Sequence, residues 1–147
     1  MEVALILPVF LVFLFGILEY SHARMISNML KTACRSGARL GSTQGVTTQQ
    51  TRDRVDEILS SIMDPASVDV IVKNADIYDD DEATLPESAD DFNALGDIDL
   101  DDAEPRQMIL VRATVNYKNA ALFAVPLMEF MGMDDVVLTG QAITRHE

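Results

Sequence analysis

The stretch VALILPVFLVFLFGIL, residues 3–18, decides how the rest of the 147-residue chain is read. Its sixteen residues are uncharged and almost wholly apolar, and they lie between Glu2 and Glu19. A helix of that length reaches roughly 24 Å, somewhat short of a hydrocarbon core of about 30 Å. It spans, or nearly spans, if its ends thin the bilayer and flanking side chains snorkel. Three readings stay open on these residues: a single transmembrane anchor, a cleaved signal peptide, or a shaft that sits first in a membrane and later in a filament. In the first and third, Leu5, Pro8, Phe10, Phe13, Phe15 and Gly16 pack against lipid or against neighbouring helices.

A signal peptide carries a basic n-region, whereas only Met1 and Glu2 stand before the run. Small residues at Ser21 and Ala23 fit cleavage after Ala23, but the residues beyond Ala23 continue as helix. Arg24, Lys31, Arg35 and Arg39 lie after the run and nothing basic precedes it, which read literally leaves the carboxyl side in the cytoplasm. A short basic leader ahead of Met1 reverses that balance, and such a leader is the expectation.

Beyond Glu19, Ile26, Leu30, Ala33, Gly37 and Leu40 recur at helical spacing on one face. The pattern predicts one helix over residues 3–42, about 60 Å long. Pro8 removes one backbone donor and is the place for a bend. Ala33, Gly37, Ala38 and Gly41 let another element approach the backbone closely, and GSTQGV (41–46) supplies the stop. A second helix starts at Thr47 or Thr48, with Thr47 and Gln50 fitting a capping box. Val55, Ile58, Leu59 and Ile62 form its apolar face, and Asp64-Pro65 is its expected end.

Strand patterns occur at 68–72, 108–117 and 135–144. In the second, Ile109, Val111, Ala113, Val115 and Tyr117 share a face. In the third, Val136, Leu138, Gly140 and Ala142 do. The fold class is therefore α+β: a long N-terminal hydrophobic helix packed by its carboxyl half on a small antiparallel sheet, with one further helix. Strand order is not readable. The organisation is an apolar helix with its extension (1–42) and a globular domain (43–147).

The net charge of −13 belongs to one segment. Thirteen carboxylates and no Lys or Arg lie within 76–104, and the other eleven acidic residues balance the eleven basic ones. Such a field argues against nucleic-acid binding. The segment lacks periodicity and reads as a solvated, self-repelling loop. Asp97, Asp99 and Asp101 alternate like calcium ligands, but the EF-hand match fails because its glycine position is Asp102 and its twelfth position Met108. Irregular calcium binding is the only cofactor the residues suggest. The single cysteine, Cys34, closes no intramolecular disulfide and is expected to be a buried apolar residue. The run AALFAVPLMEFMGM (120–133) holds too many large apolar residues for a plain connection. Leu122, Phe123, Pro126 and Phe130 either cap the core or form a contact surface toward membrane or neighbouring subunit.

The opening resembles the TadE-like minor pilins of the Tad (tight adherence, Flp or type IVc) pilus system. That family typically shows a Glu, an apolar run with an early Pro, Gly-Ile-x-Glu, and then Ala-x-Arg-x-Gly-Ala-Arg. The matching positions are Glu2, Pro8, Gly16-Ile17-Leu18-Glu19, and Ala33-Cys34-Arg35-Ser36-Gly37-Ala38-Arg39. The resemblance covers about the first 42 residues. It departs from the family ahead of Glu2, where members carry a Gly cleaved by a prepilin peptidase. The resemblance implies that Glu2 pairs with a neighbour's terminal amine and sets filament register. Glu19, beside the amphipathic Tyr20, is expected at the other membrane interface. Arg35 and Arg39 either pair with carboxylates of the same or another subunit or lie on a solvated face.

The expected function is that of a pilin-like structural subunit, a minor pilin or pseudopilin, serving surface adhesion or filament assembly. Its implied partners are other copies of itself or other pilins, the assembly machinery and the prepilin peptidase. It would reside in the inner membrane before assembly, with its domain outside, and then in an extracellular pilus. The alternative is a permanently membrane-anchored extracytoplasmic binding domain, with calcium as one ligand. Catalysis is not expected, because no motif joins His22, His146 or Cys34 to a nucleophile or metal constellation.

Overall fold

The computed structural model describes residues 2–79, 86, 88–121 and 136–147, with backbone alone for residues 2–5, 89 and 102. Helix α1 (Glu2–Gly41) runs unbroken through Pro8 and, at 40 residues, is about 60 Å long. The turn at 42–46 leads into α2 (Thr48–Leu59). Three strands come next, β1 (Val68–Asn74), β2 (Met108–Asn116) and β3 (Val137–Arg145), with a short helix α3 (Ala89–Asn93) between the first two. The sheet is antiparallel in the order β1-β2-β3, so β2 is central. Ala113 pairs with both Val70 and Gly140. The α+β architecture read from the sequence is the one observed.

One core joins the carboxyl half of α1 to the sheet. Ile26, Leu30, Ala33, Cys34 and Ala38 of α1 meet Val55 and Leu59 of α2 and the inward residues Ile109, Val111, Ala113 and Val115 of β2. Small residues make this contact possible. At Gly140 an added Cβ would collide with the Leu30 carbonyl carbon and come within 2.6 Å of the Lys31 nitrogen, so β3 lies directly on the α1 backbone. At Gly37 a Cβ would stand 2.5 Å from Val55 Cγ2, which seats α2 on the neighbouring face. Cys34 is fully buried, and its thiol donates to the Gly140 carbonyl at 3.3 Å.

The capping box at α2 forms as its spacing predicts. Thr47 Oγ1 accepts from the Gln50 amide at 3.1 Å, and Gln50 Oε1 accepts from the Thr47 amide at 3.0 Å. The helix nevertheless ends at Leu59 rather than at Asp64-Pro65. Ser60 and Ser61 donate their hydroxyls to the carbonyls of Glu57 and Ile58, offering the backbone another way to satisfy its last turn. Ile62, counted on the apolar face, is left outside the helix and exposed.

The acidic segment is not the solvated loop its charge suggests. Its described residues cover the second face of the sheet, where Phe92, Leu95, Ala75 and Leu110 form a second core. The chain then wraps the β1 edge, with the Asn74 amide donating to Gly96 O at 2.8 Å, and delivers Leu100 into the first core. Buried apolar side chains spaced along a charged segment are what hold it down. The carboxyl end is also pinned. His146 is buried and its Nδ1 lies 3.1 Å from the Gly41 carbonyl, which can only accept, so this nitrogen carries the proton and caps α1.

Substituting Gly140→Ala pushes a methyl against backbone that cannot rotate away, and we expect a loss of about 1–3 kcal/mol or more. Gly37→Ala should cost less, since it displaces one valine side chain. Gly16→Ala, with nothing within 4 Å, should leave the domain's stability unchanged. Thermal unfolding of the full chain in detergent micelles checks this ranking.

Candidate functional site

The apolar amino-terminal half of α1 stands clear of both cores. Its large side chains from Ile6 to Leu18 are all substantially exposed, from 39% at Leu11 to 68% at Val9 and Phe13. Because consecutive residues qualify, the helix is apolar all round rather than along one stripe, as in a segment surrounded by lipid or by other helices. It is the one helix among the described residues long and apolar enough to cross a membrane. Of the packing residues named from sequence, Phe10, Phe13 and Phe15 are exposed, and Pro8 and Gly16 lie on the same exposed surface. Glu2 is helical in backbone, and its side chain and that of Leu5 lie outside the described residues.

The exposed surface ends at Glu19. Expected at a membrane interface, this carboxylate is instead buried, at 9% exposure, against the end of β2. Tyr117, in a 3-10 turn after β2 and itself buried, brings its hydroxyl within 2.6 Å of Glu19 Oε1 and 3.1 Å of the Glu19 carbonyl. The hydroxyl has one proton, and the shorter contact to the charged acceptor takes it. Tyr20, the next residue, is 67% exposed. A charge-assisted hydrogen bond therefore fastens the root of the shaft to the domain. Tyr117 was legible in the sequence only as one more residue on a strand face, because its partner lies 98 residues away.

The remaining motif positions divide between packing and solvent. Gly37 and Ala38 are buried beneath α2 and the sheet, so their small size is a packing requirement. Arg35 and Arg39 are exposed and make no ion pair among the described residues, so within one chain their face is a solvated one.

Asp97, Asp99 and Asp101 line one open cleft with Thr47, Thr48 and Arg52, and the first two are already engaged. Lys73 Nζ holds Asp97 Oδ1 at 2.6 Å, while Asp99 Oδ1 accepts from Thr48 Oγ1 at 3.0 Å and caps the 3-10 turn Leu100–Asp102. Among the described residues no group of three His, Cys, Asp or Glu side chains is placed to hold a metal ion. On the far face of the sheet Arg112 lies 4.6 Å from the Phe92 ring centroid and donates to the Ser88 carbonyl at 3.4 Å, tying α3 to β2. Leu122, Phe123, Pro126 and Phe130 lie outside the described residues.

Burial, and then the Glu19 carboxylate, raise the Tyr117 hydroxyl well above its ordinary value of 10.0. The folded chain keeps this proton at a pH where the unfolded chain has lost it. The stabilisation is full below about pH 10 and is lost as pH rises from there through the folded value. We therefore expect thermal stability to decline above about pH 10, with Tyr117→Phe reducing that decline and costing about 1.5–3 kcal/mol at neutral pH. Unfolding of both chains across pH 7–12 measures it.

Residues 1–39 match the family model described as TadE-like protein. No curated protein and no solved structure gives a match.

Proposed function

We propose that this chain, TadE-like over residues 1–39, is a pilin-like structural subunit of a Tad-type pilus that assembles through its apolar helix. The observation that carries the reading is one continuous helix with two kinds of surroundings. Its carboxyl half is the spine of an α+β domain, while its amino half presents exposed apolar surface on every side. Such a shaft is stable in lipid and equally stable among other shafts, where burial removes apolar area at about 25 cal/mol per Å². Transfer between the two exchanges one apolar environment for another, so a subunit can be stored in a membrane and later drawn into a filament.

In this reading the inner membrane holds the subunit first, with the domain outside, and a prepilin peptidase acts ahead of Glu2. The Glu2 carboxylate then pairs with the terminal amine of a neighbouring subunit and sets register. The role is adhesion or assembly, as a minor pilin, and not catalysis. Glu19 and Tyr117 supply the rigid joint that transmits the filament's geometry to the domain.

The test is intact mass and N-terminal sequence of the native protein from sheared surface material and, separately, from membranes. A chain processed just ahead of Glu2 and present in the sheared fraction is the expected result. A chain confined to membranes would replace this reading with a permanently anchored extracytoplasmic binding domain. Phe13→Asp, on the most exposed part of the shaft, should remove the protein from the sheared fraction while leaving the domain folded.

A further inference from the structure

The second face of the sheet is only partly covered among the described residues. Alternation along β2 turns Leu110, Arg112 and Thr114 toward it, while Val111, Ala113 and Val115 enter the first core. Leu110 packs with Phe92 and Leu95 in the second core. Two residues further along the strand stands Arg112, and with it the face opens into a cleft of about 290 Å³. Ile71, Arg112 and Thr114 of the sheet line it together with Phe92 and Asn93 of α3. Asp69 and Thr139, which pair in register with Thr114 from either side, line it too.

Arg112 is 9% exposed, and its charge has no counter-ion among the described residues. A guanidinium carries five N–H donors, and taking it out of water is costly unless they are engaged. Nη1 donates to the Ser88 carbonyl at 3.4 Å, and the guanidinium carbon lies 4.6 Å from the Phe92 ring centroid. Nε is buried with no acceptor, and Nη2 has none among the described residues. These two nitrogens share the edge of the guanidinium that offers a carboxylate two parallel N–H bonds. Asp69 lines the same cleft and forms no ion pair with Arg112. The buried charge therefore lacks the partner that burial ordinarily requires.

We propose that this cleft binds a small apolar carboxylate, whose anionic end sits on the Nε and Nη2 edge of Arg112 and whose apolar body lies against Ile71, Phe92 and Val137. Charge selects an anion, and the shape of the free edge selects a planar one. A carboxylate accepts two bonds there, whereas a halide accepts from the same edge without matching its geometry. The apolar side chains select the body. At roughly 30 Å³ for a water-sized group, the cleft holds about ten non-hydrogen atoms. Asp69, exposed on the same cleft, repels the ligand and keeps its affinity modest. The site lies within one copy of the chain and is independent of the assembly reading.

The probe is phenylacetate, added to the full chain in micelles of a neutral detergent, with neutral phenylacetamide and the bare anion acetate as controls. The Arg112 Nε–H resonance, assigned by its loss in Arg112→Lys, reports contact at the site. Phenylacetate should shift it and bind about tenfold or more tightly than either control. Arg112→Lys keeps the charge and loses the two-bond edge, and should weaken binding about tenfold. Asp69→Asn removes the opposing charge at an exposed position and should tighten binding about threefold, a gain that a merely structural Arg112 does not produce. Cys34, buried in the core, should resist maleimide in each variant if the domain remains folded. Glycylglycylphenylalanine distinguishes the source of the carboxylate: tighter binding than phenylacetate assigns the cleft to the terminal residue of a peptide, and weaker binding assigns it to a free acid. Equal binding of phenylacetate and phenylacetamide, shifts that spare the Arg112 Nε–H, or binding weakened by Asp69→Asn overturns the proposal.

Discussion

Where β3 crosses α1 at Gly140, strand and helix come so close that a methyl group would overlap the peptide joining Leu30 to Lys31. The rest of the arrangement depends on that approach. It places the sheet directly on the helix, brings Cys34 to the Gly140 carbonyl, and leaves the neighbouring face around Gly37 for α2. With the sheet seated there, the end of β2 carries Tyr117 beneath Glu19. The small residues of the segment 33–38 thus act through what they leave out. Their absent side chains are the space in which three elements meet.

The same helix answers to two surroundings, and the change occurs within a few residues. Up to Leu18 each described large side chain is exposed, and from Ile26 onward one face is sealed. Glu19 lies at the transition, where a carboxylate with no strong donor would oppose burial. The Tyr117 hydroxyl turns it into an anchor. The contact fixes the root of the shaft against the end of β2.

Charge is partitioned by the fold in a way composition alone does not reveal. The described part of the acidic segment commits Phe92, Leu95 and Leu100 to burial and keeps its described carboxylates outward, so a stretch that looks self-repelling packs against the domain. Several of its carboxylates cap turns or meet local donors, as Asp76 does at the start of β2 through the Met108 amide at 2.7 Å. The exposed cations of α1, Arg24, Lys31, Arg35 and Arg39, lie on the helix face turned away from the first core.

Periodicity made the long helix, the capped second helix and the three strands legible, because these depend on neighbours three, four or two residues apart. The apolar run and its freedom from charge identified the shaft for the same reason, as did the Thr47 and Gln50 spacing for the α2 cap. The earlier end of α2, the folding of the acidic segment and the role of His146 turned on competition for backbone partners and on apolar side chains meeting across the sheet. The Glu19 to Tyr117 contact joins residues 98 positions apart and has no local signature. The sequence by itself therefore determined which segments are helix, strand and shaft, since short-range spacing dictates them. Only the tertiary structure decided which charges are buried, paired or left exposed, since that depends on what the sheet brings together and what it holds apart.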